Sequence, residues 1–167
     1  SMLKTKYIRT TISNDIVGTE YASMLKNIYA IASGIAHALG YGDNFQSVLM
    51  SNAIREMKRF INDVYKMKRN INNSAYLGDL LVTGYSVFSR NRSFGNMIGK
   101  GYTVKAAQME MRMIAEGYYA TQSARLINQK YRTRVPIIDA VFSILYEGKN
   151  PEMVFKKPVS YTHLRAH

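Results

Sequence analysis

The sequence predicts an all-α domain, a bundle of about six or seven helices behind one β-strand. Three observations predict it. Apolar residues recur at helical spacing over two long stretches, beginning near Thr19 and near Phe45. Cap and stop residues divide the rest of the chain into shorter helical pieces. Only Lys6–Ile12 alternates polar and β-branched residues like a strand. One strand is not stable alone, so it is expected either to pair with something outside this chain or to hang loose.

The elements follow in order. Ser13 or Asn14 is expected to cap the first helix, with Asp15 favourable in its first turn. Tyr21, Leu25, Ile28, Ala32, Ile35 and Leu39 form its apolar stripe, and Gly40-Tyr41-Gly42 ends it. Asp43 or Asn44 caps a second helix from Phe45 to about Lys68. Its stripe is Phe45, Val48, Leu49, Ala53, Met57, Phe60, Ile61 and Val64. The short glycine-containing turn makes the pair antiparallel neighbours. A polar loop, Asn70–Ser74, leads to the apolar run Ala75–Val82, interrupted by Gly78 and Asp79. Ser89 is the expected cap of a helix running to Gly99 or Gly101. Thr103 caps one over Val104–Met111. Met113–Gly117 reads as a loop and Tyr118–Tyr131 as a helix. Pro136 opens a helix that Gly148 ends, and Asn150-Pro151 opens a final short one with Met153 and Val154 turned inward.

Composition narrows the function classes. The chain has 167 residues, enough for one domain with its own core, and no cysteine, so neither a disulfide framework nor thiol chemistry is available. Three histidines without clustered acids argue against a transition-metal site. No run reaches the ~18 apolar residues of a membrane span, and no signal peptide is evident, which points to the cytoplasm. The formal charge of +12 suits a nucleic acid, an anionic surface or a phosphorylated small molecule. The denser patches, Lys66–Arg69 and Arg90–Arg92, lack the aromatic interleaving of a nucleic-acid platform, and such charge runs are usually solvated faces.

Three places carry chemistry. Lys26 lies just off the first stripe, ringed by Ala22, Ser23, Ala30 and Ser33. Small neighbours leave room for a backbone or a ligand to approach; the competing reading is a solvated lysine. Asp79, between Gly78 and Leu80-Leu81-Val82, is a half-buried acid in need of Lys26 or Arg90, or else a helix-capping Asp. Arg90 and Arg92 follow the cap Ser89, where cations oppose the helix dipole. A bound anion would explain them through backbone N–H groups and a guanidinium fork. Solvated arginines are the alternative.

The strings "GTEYASMLKNIYAIASGIAHALGYGDN", "LGDLLVT", "SRNRSFG", "IAEGYYA" and "VPIIDAVFSILYEGKNP" together resemble the C-terminal helical domain of bacterial-type NAD(P)-dependent sn-glycerol-3-phosphate dehydrogenase. The resemblance covers about Ile12 to Phe155. It implies a multi-helix fold like the C-terminal domain of 6-phosphogluconate dehydrogenase, at 13–157. It implies that 1–12 is the remnant of a dinucleotide-binding Rossmann domain absent from this chain. It implies interconversion of dihydroxyacetone phosphate and sn-glycerol 3-phosphate with NAD(P)H, feeding glycerophospholipid synthesis, in a fragment inactive alone. By the same resemblance Lys26 is catalytic. Lys26, Asn27, Asp79, Ser89, Arg90 and Asn91 bind substrate; Arg90, Ile114 and Glu116 touch the cofactor, held mainly by the absent domain. The implied partners are the small phosphorylated substrate, that domain and a second copy in a homodimer, with neither metal nor nucleic acid.

The chain departs from the family pattern at Ser51-Asn52-Ala53, where Thr-Arg-Gly is frequent, and at Tyr76, where "GLGDL" carries glycine. Pro158–His167 does not continue the family's helix, resembles translated adaptor sequence, and is expected to be a non-native tail, so His163 and His167 are not read as ligands. Two other functions compete: a basic helical interaction or nucleic-acid-binding module, and a different hydroxy-acid dehydrogenase of the same superfamily.

Overall fold

A computed structural model describes residues 12–111 and 113–162. Eight α-helices and one π-helical turn make up the described chain. The expected strand lies outside the described residues, apart from Ile12, which is exposed.

α1 spans Ile16–Ala38 and is the axis of the molecule. Asp15, rather than Ser13 or Asn14, is its cap, its Oδ1 accepting from the Gly18 amide at 3.0 Å. The middle of the predicted stripe is buried and its ends, Tyr21 and Leu39, are half-buried, but every residue from Ile28 to Ala36 is buried as well, whichever way it faces. Helices therefore surround this half of α1 on all sides, which a one-face pattern does not reveal. Its main neighbour is α4 (Arg90–Gly99), not α2. Glycines allow that approach: a methyl on Gly34 would overlap the Arg92 carbonyl, and one on Gly95 would overlap the Ile31 carbonyl. Gly40, in the left-handed region at φ 82°, turns the chain after the C-cap Leu39.

α2 runs from Asp43 to Val64, so it stops short of Lys68, and Gly42 caps it without a side-chain bond. Its core face is as expected except Val48, which is 44% exposed. Glu56 is fully buried on this helix, and its carboxylate accepts from the amides of Ile137 and Ile138 at 2.9 and 3.0 Å. Those are orphan donors of α7 (Pro136–Leu145), so a side chain from α2 caps α7.

Past the end of α2, Arg69 is not part of a solvated patch. Its side chain is 2% exposed and its Nε lies 2.6 Å from Asp15 Oδ2. A π-helical turn, Ser74–Gly78, leads directly into α3 (Asp79–Tyr85). Ser89 caps α4, accepting from the Arg92 amide at 3.3 Å, and Thr103 caps α5 (Val104–Glu110). α6 spans Glu116–Tyr131, so Gly117 belongs to a helix and not to a loop. In α8 (Pro151–Thr162) Met153 is 69% exposed and Phe155 takes the inward position, with Val154 half-buried. The backbone of α8 passes Lys157 and continues through Pro158 to Thr162, although Pro158 has no amide to donate to the preceding turn.

Candidate active site

α1, α3, α4 and the start of α6 converge around Lys26. Its Nζ lies 2.6 Å from Asp79 Oδ2, and both side chains keep partial contact with solvent. The short π-helical turn places Asp79 at the first position of α3, facing back to α1. Asp79 thus takes Lys26 as its partner rather than Arg90, whose Nη1 sits 3.2 Å from Met113 Sδ. Of the small residues around Lys26, Ser33 explains one approach: its hydroxyl donates to the Gly84 carbonyl of α3 at 2.8 Å.

A second set of bonds fixes the neighbouring wall. Asn91 Nδ2 donates to Asn27 Oδ1 at 3.0 Å, and Asn91 Oδ1 accepts from the Gly117 amide at 2.8 Å. Asn27 Nδ2 reaches Glu116 Oε2 at 3.4 Å. Gly117 is obligatory here, because an added methyl would crowd the Asn27 carbonyl and Asn91 Oδ1. Three helices, α1, α4 and α6, are thereby held in register by two asparagines. No acidic side chain occupies the first turn of α4, which leaves that helix start electropositive beside Arg90.

Lys26, Asn27, Ser89, Arg90, Asn91 and Glu116 line one open cleft of about 370 Å³. Asp79 joins it through Lys26. Ile114 is outside the lining, 65% exposed in the segment before α6. Thr83, Ser86, Val82 and Phe88 also line the cleft, and none of them carries a site motif in the sequence. Phe88 is 91% and Val82 69% exposed, an apolar signal that stands out only once their position beside Lys26 is known. A larger cavity, about 1010 Å³ between α2, α7 and α8, contains none of the candidate site residues.

The family model describing the NAD-dependent glycerol-3-phosphate dehydrogenase C-terminus matches residues 15–156. The chain belongs to that family. A glycerol-3-phosphate dehydrogenase of Salinibacter ruber is 35% identical over 163 residues, covering 98% of this chain and 47% of that protein. One from a Thermoanaerobacter species is 40% identical over 143 residues, covering 86% and 43%. The crystal structure of glycerol-3-phosphate dehydrogenase from Coxiella burnetii superimposes with a TM-score of 0.87 at 32% identity, covering 94% of this chain and 48% of that one. The chain therefore spans about half the length of the relatives it matches. Membership of this family argues against both competing readings, the nucleic-acid module and the hydroxy-acid dehydrogenase.

Proposed function

We propose that this chain is the substrate-binding and catalytic half of an oxidoreductase that interconverts dihydroxyacetone phosphate and sn-glycerol 3-phosphate with NAD(P)H. The observation that carries the proposal is the Lys26–Asp79 pair at 2.6 Å, in a cleft that also holds Arg90 and the cap of α4. The cleft pairs a cationic, N–H-rich end with an ammonium held by a carboxylate. A small phosphorylated ketone matches both.

The residues fit a nicotinamide as second occupant. Exposed Val82 and Phe88 offer an apolar flank, while the Asn27 amide and the Glu116 carboxylate in the same cleft offer polar partners to the carboxamide. When bound, the cofactor supplies the hydride to the carbonyl carbon. Lys26 donates a proton to the carbonyl oxygen as charge develops there, and the C–O double bond becomes a hydroxyl. In the reverse direction neutral Lys26 takes the hydroxyl proton. Asp79 orients the amine. Ser89, Arg90 and Asn91 hold the phosphate end, and Arg90, Ile114 and Glu116 meet the cofactor. An upstream dinucleotide-binding domain, a cytoplasmic location, pairing into a homodimer and a supply of glycerol phosphate for lipid synthesis belong to the same proposal, as does the division into 13–157 as domain and 158–167 as tail.

The experiment joins this chain to the upstream domain and follows NADH and NADPH oxidation with dihydroxyacetone phosphate. Arg90→Ala is expected to raise KM for the phosphorylated ketone about ten- to a hundredfold, the loss of one charge-assisted bond. Indifference to that substitution, or turnover only of an unphosphorylated hydroxy acid, sinks the substrate assignment.

A further inference from the structure

A buried polar cluster lies near the Lys26 cleft and has no part in the chemistry described. Asp15 is 5% exposed and Tyr76 3%. The Asp15 carboxylate accepts from the Gly18 amide, from Arg69 Nε at 2.6 Å and from the Tyr76 hydroxyl. Arg69 also donates to Asn62 Oδ1 at 2.6 Å and to the Tyr65 carbonyl at 3.0 Å. The cluster therefore ties the start of α1, the end of α2 and the π-helical turn together.

Its relation to the cleft follows from helical geometry. Asp15 and Lys26 are eleven residues apart, about three turns and within roughly 20° of the same face of α1. Ser33, seven residues on, shares that face. The segment opposite carries their three partners in the same order: Tyr76 on Asp15, Asp79 on Lys26 and the Gly84 carbonyl on Ser33. The Asp79 amide itself donates to the carbonyls of Ser74 and Tyr76, through the π-helical turn. The backbone of Tyr76 thus carries Asp79, while its phenol is fastened to Asp15.

We propose that Tyr76, Asp15 and Arg69 are positioning residues that hold the π-helical turn so that Asp79 meets the Lys26 ammonium. The inference rests on the reading of Lys26 as the proton donor, and deepens it. An α-helix in place of the π-helical turn would rotate Asp79 by about 100° away from α1. The Tyr76–Asp15 bond opposes that change by fixing the turn at its middle.

The test needs no turnover, so it is separable from the substrate assignment. In this chain, the rate of Lys26 modification by an amine-selective reagent is read by mass spectrometry against that of Lys105 and Lys130. Asp79→Asn sets the rate for an unpaired Lys26. Tyr76→Phe keeps the ring and removes only the hydroxyl; Asp15→Asn keeps an oxygen for the Gly18 amide. Both are expected to raise Lys26 modification about three- to tenfold, towards the Asp79→Asn rate, with Lys105 and Lys130 unchanged. Lys26 modified at the parent rate in both variants overturns the proposal. So does a rise shared equally by all three lysines, which reports loss of stability alone.

Discussion

Raising the pH from 5 to 8 should destabilise this domain through Glu56. Burial is the largest influence on that carboxyl and raises it from 4.5 to about 7, against the opposing pull of the Ile137 and Ile138 amides. The folded chain therefore holds a proton that the unfolded chain releases, and stability falls as pH rises between those two values. At ~1.36 kcal/mol per pH unit the full loss is about 3 kcal/mol, most of which falls between pH 5 and 8. Asp139, also raised by burial, acts in the same direction, so the share due to Glu56 is read by difference. Urea unfolding at half-unit pH steps, on the parent and on Glu56→Gln, gives both curves. Glutamine leaves one of the two α7 amides without its acceptor and costs about 1–3 kcal/mol at low pH. The penalty should shrink or reverse by pH 8, because the variant has no charge to bury. Parallel curves for parent and variant would show that Glu56 does not carry the pH dependence.

Other consequences can be checked on the same material. Gly95→Ala drives a methyl into the Ile31 carbonyl of the central helix, and a loss of about 3 kcal/mol or more is expected in thermal melts. Arg69→Ala strands the Asp15 carboxylate in a buried site, which should cost about 3–5 kcal/mol by urea titration. Hydrogen bonding to Arg69 is the largest influence on Asp15 and lowers its carboxyl below the usual range, outweighing burial. That stabilisation is complete above the ordinary carboxylate range and lost as pH falls through the lowered value. Asp15→Asn should remove this part of the acid transition, and an unchanged acid midpoint would argue that Asp15 is not ionised in the fold.

The sequence was most readable where the signal was local. Ser89 and Thr103 announced α4 and α5 as caps, and Pro136 opened α7 where expected. Lys26 was visible as an oddly placed cation because its neighbours were small, and one of them, Ser33, does receive the backbone of α3. What stayed hidden depends on residues far apart in the chain. Arg69 looked like the end of a charge run because its partner Asp15 is 54 positions away. Glu56 gives no local signal on α2, because the amides it caps lie 81 and 82 positions on. The π-helical turn has no sequence period of its own at this length, so Ala75–Val82 read as one apolar run. The burial of α1 on every side was masked by its alanines and glycines, which fit a packed interior as well as a solvated face.

Lys26 is proposed to move the proton. The direct measurement is kcat of Lys26→Ala, with this chain joined to the proposed upstream dinucleotide-binding domain, dihydroxyacetone phosphate as substrate, and far-ultraviolet circular dichroism as the check on folding. Loss of general acid catalysis predicts a fall of about 10²–10⁴-fold with an unchanged helical spectrum. A kcat within about threefold of the parent would contradict the assignment.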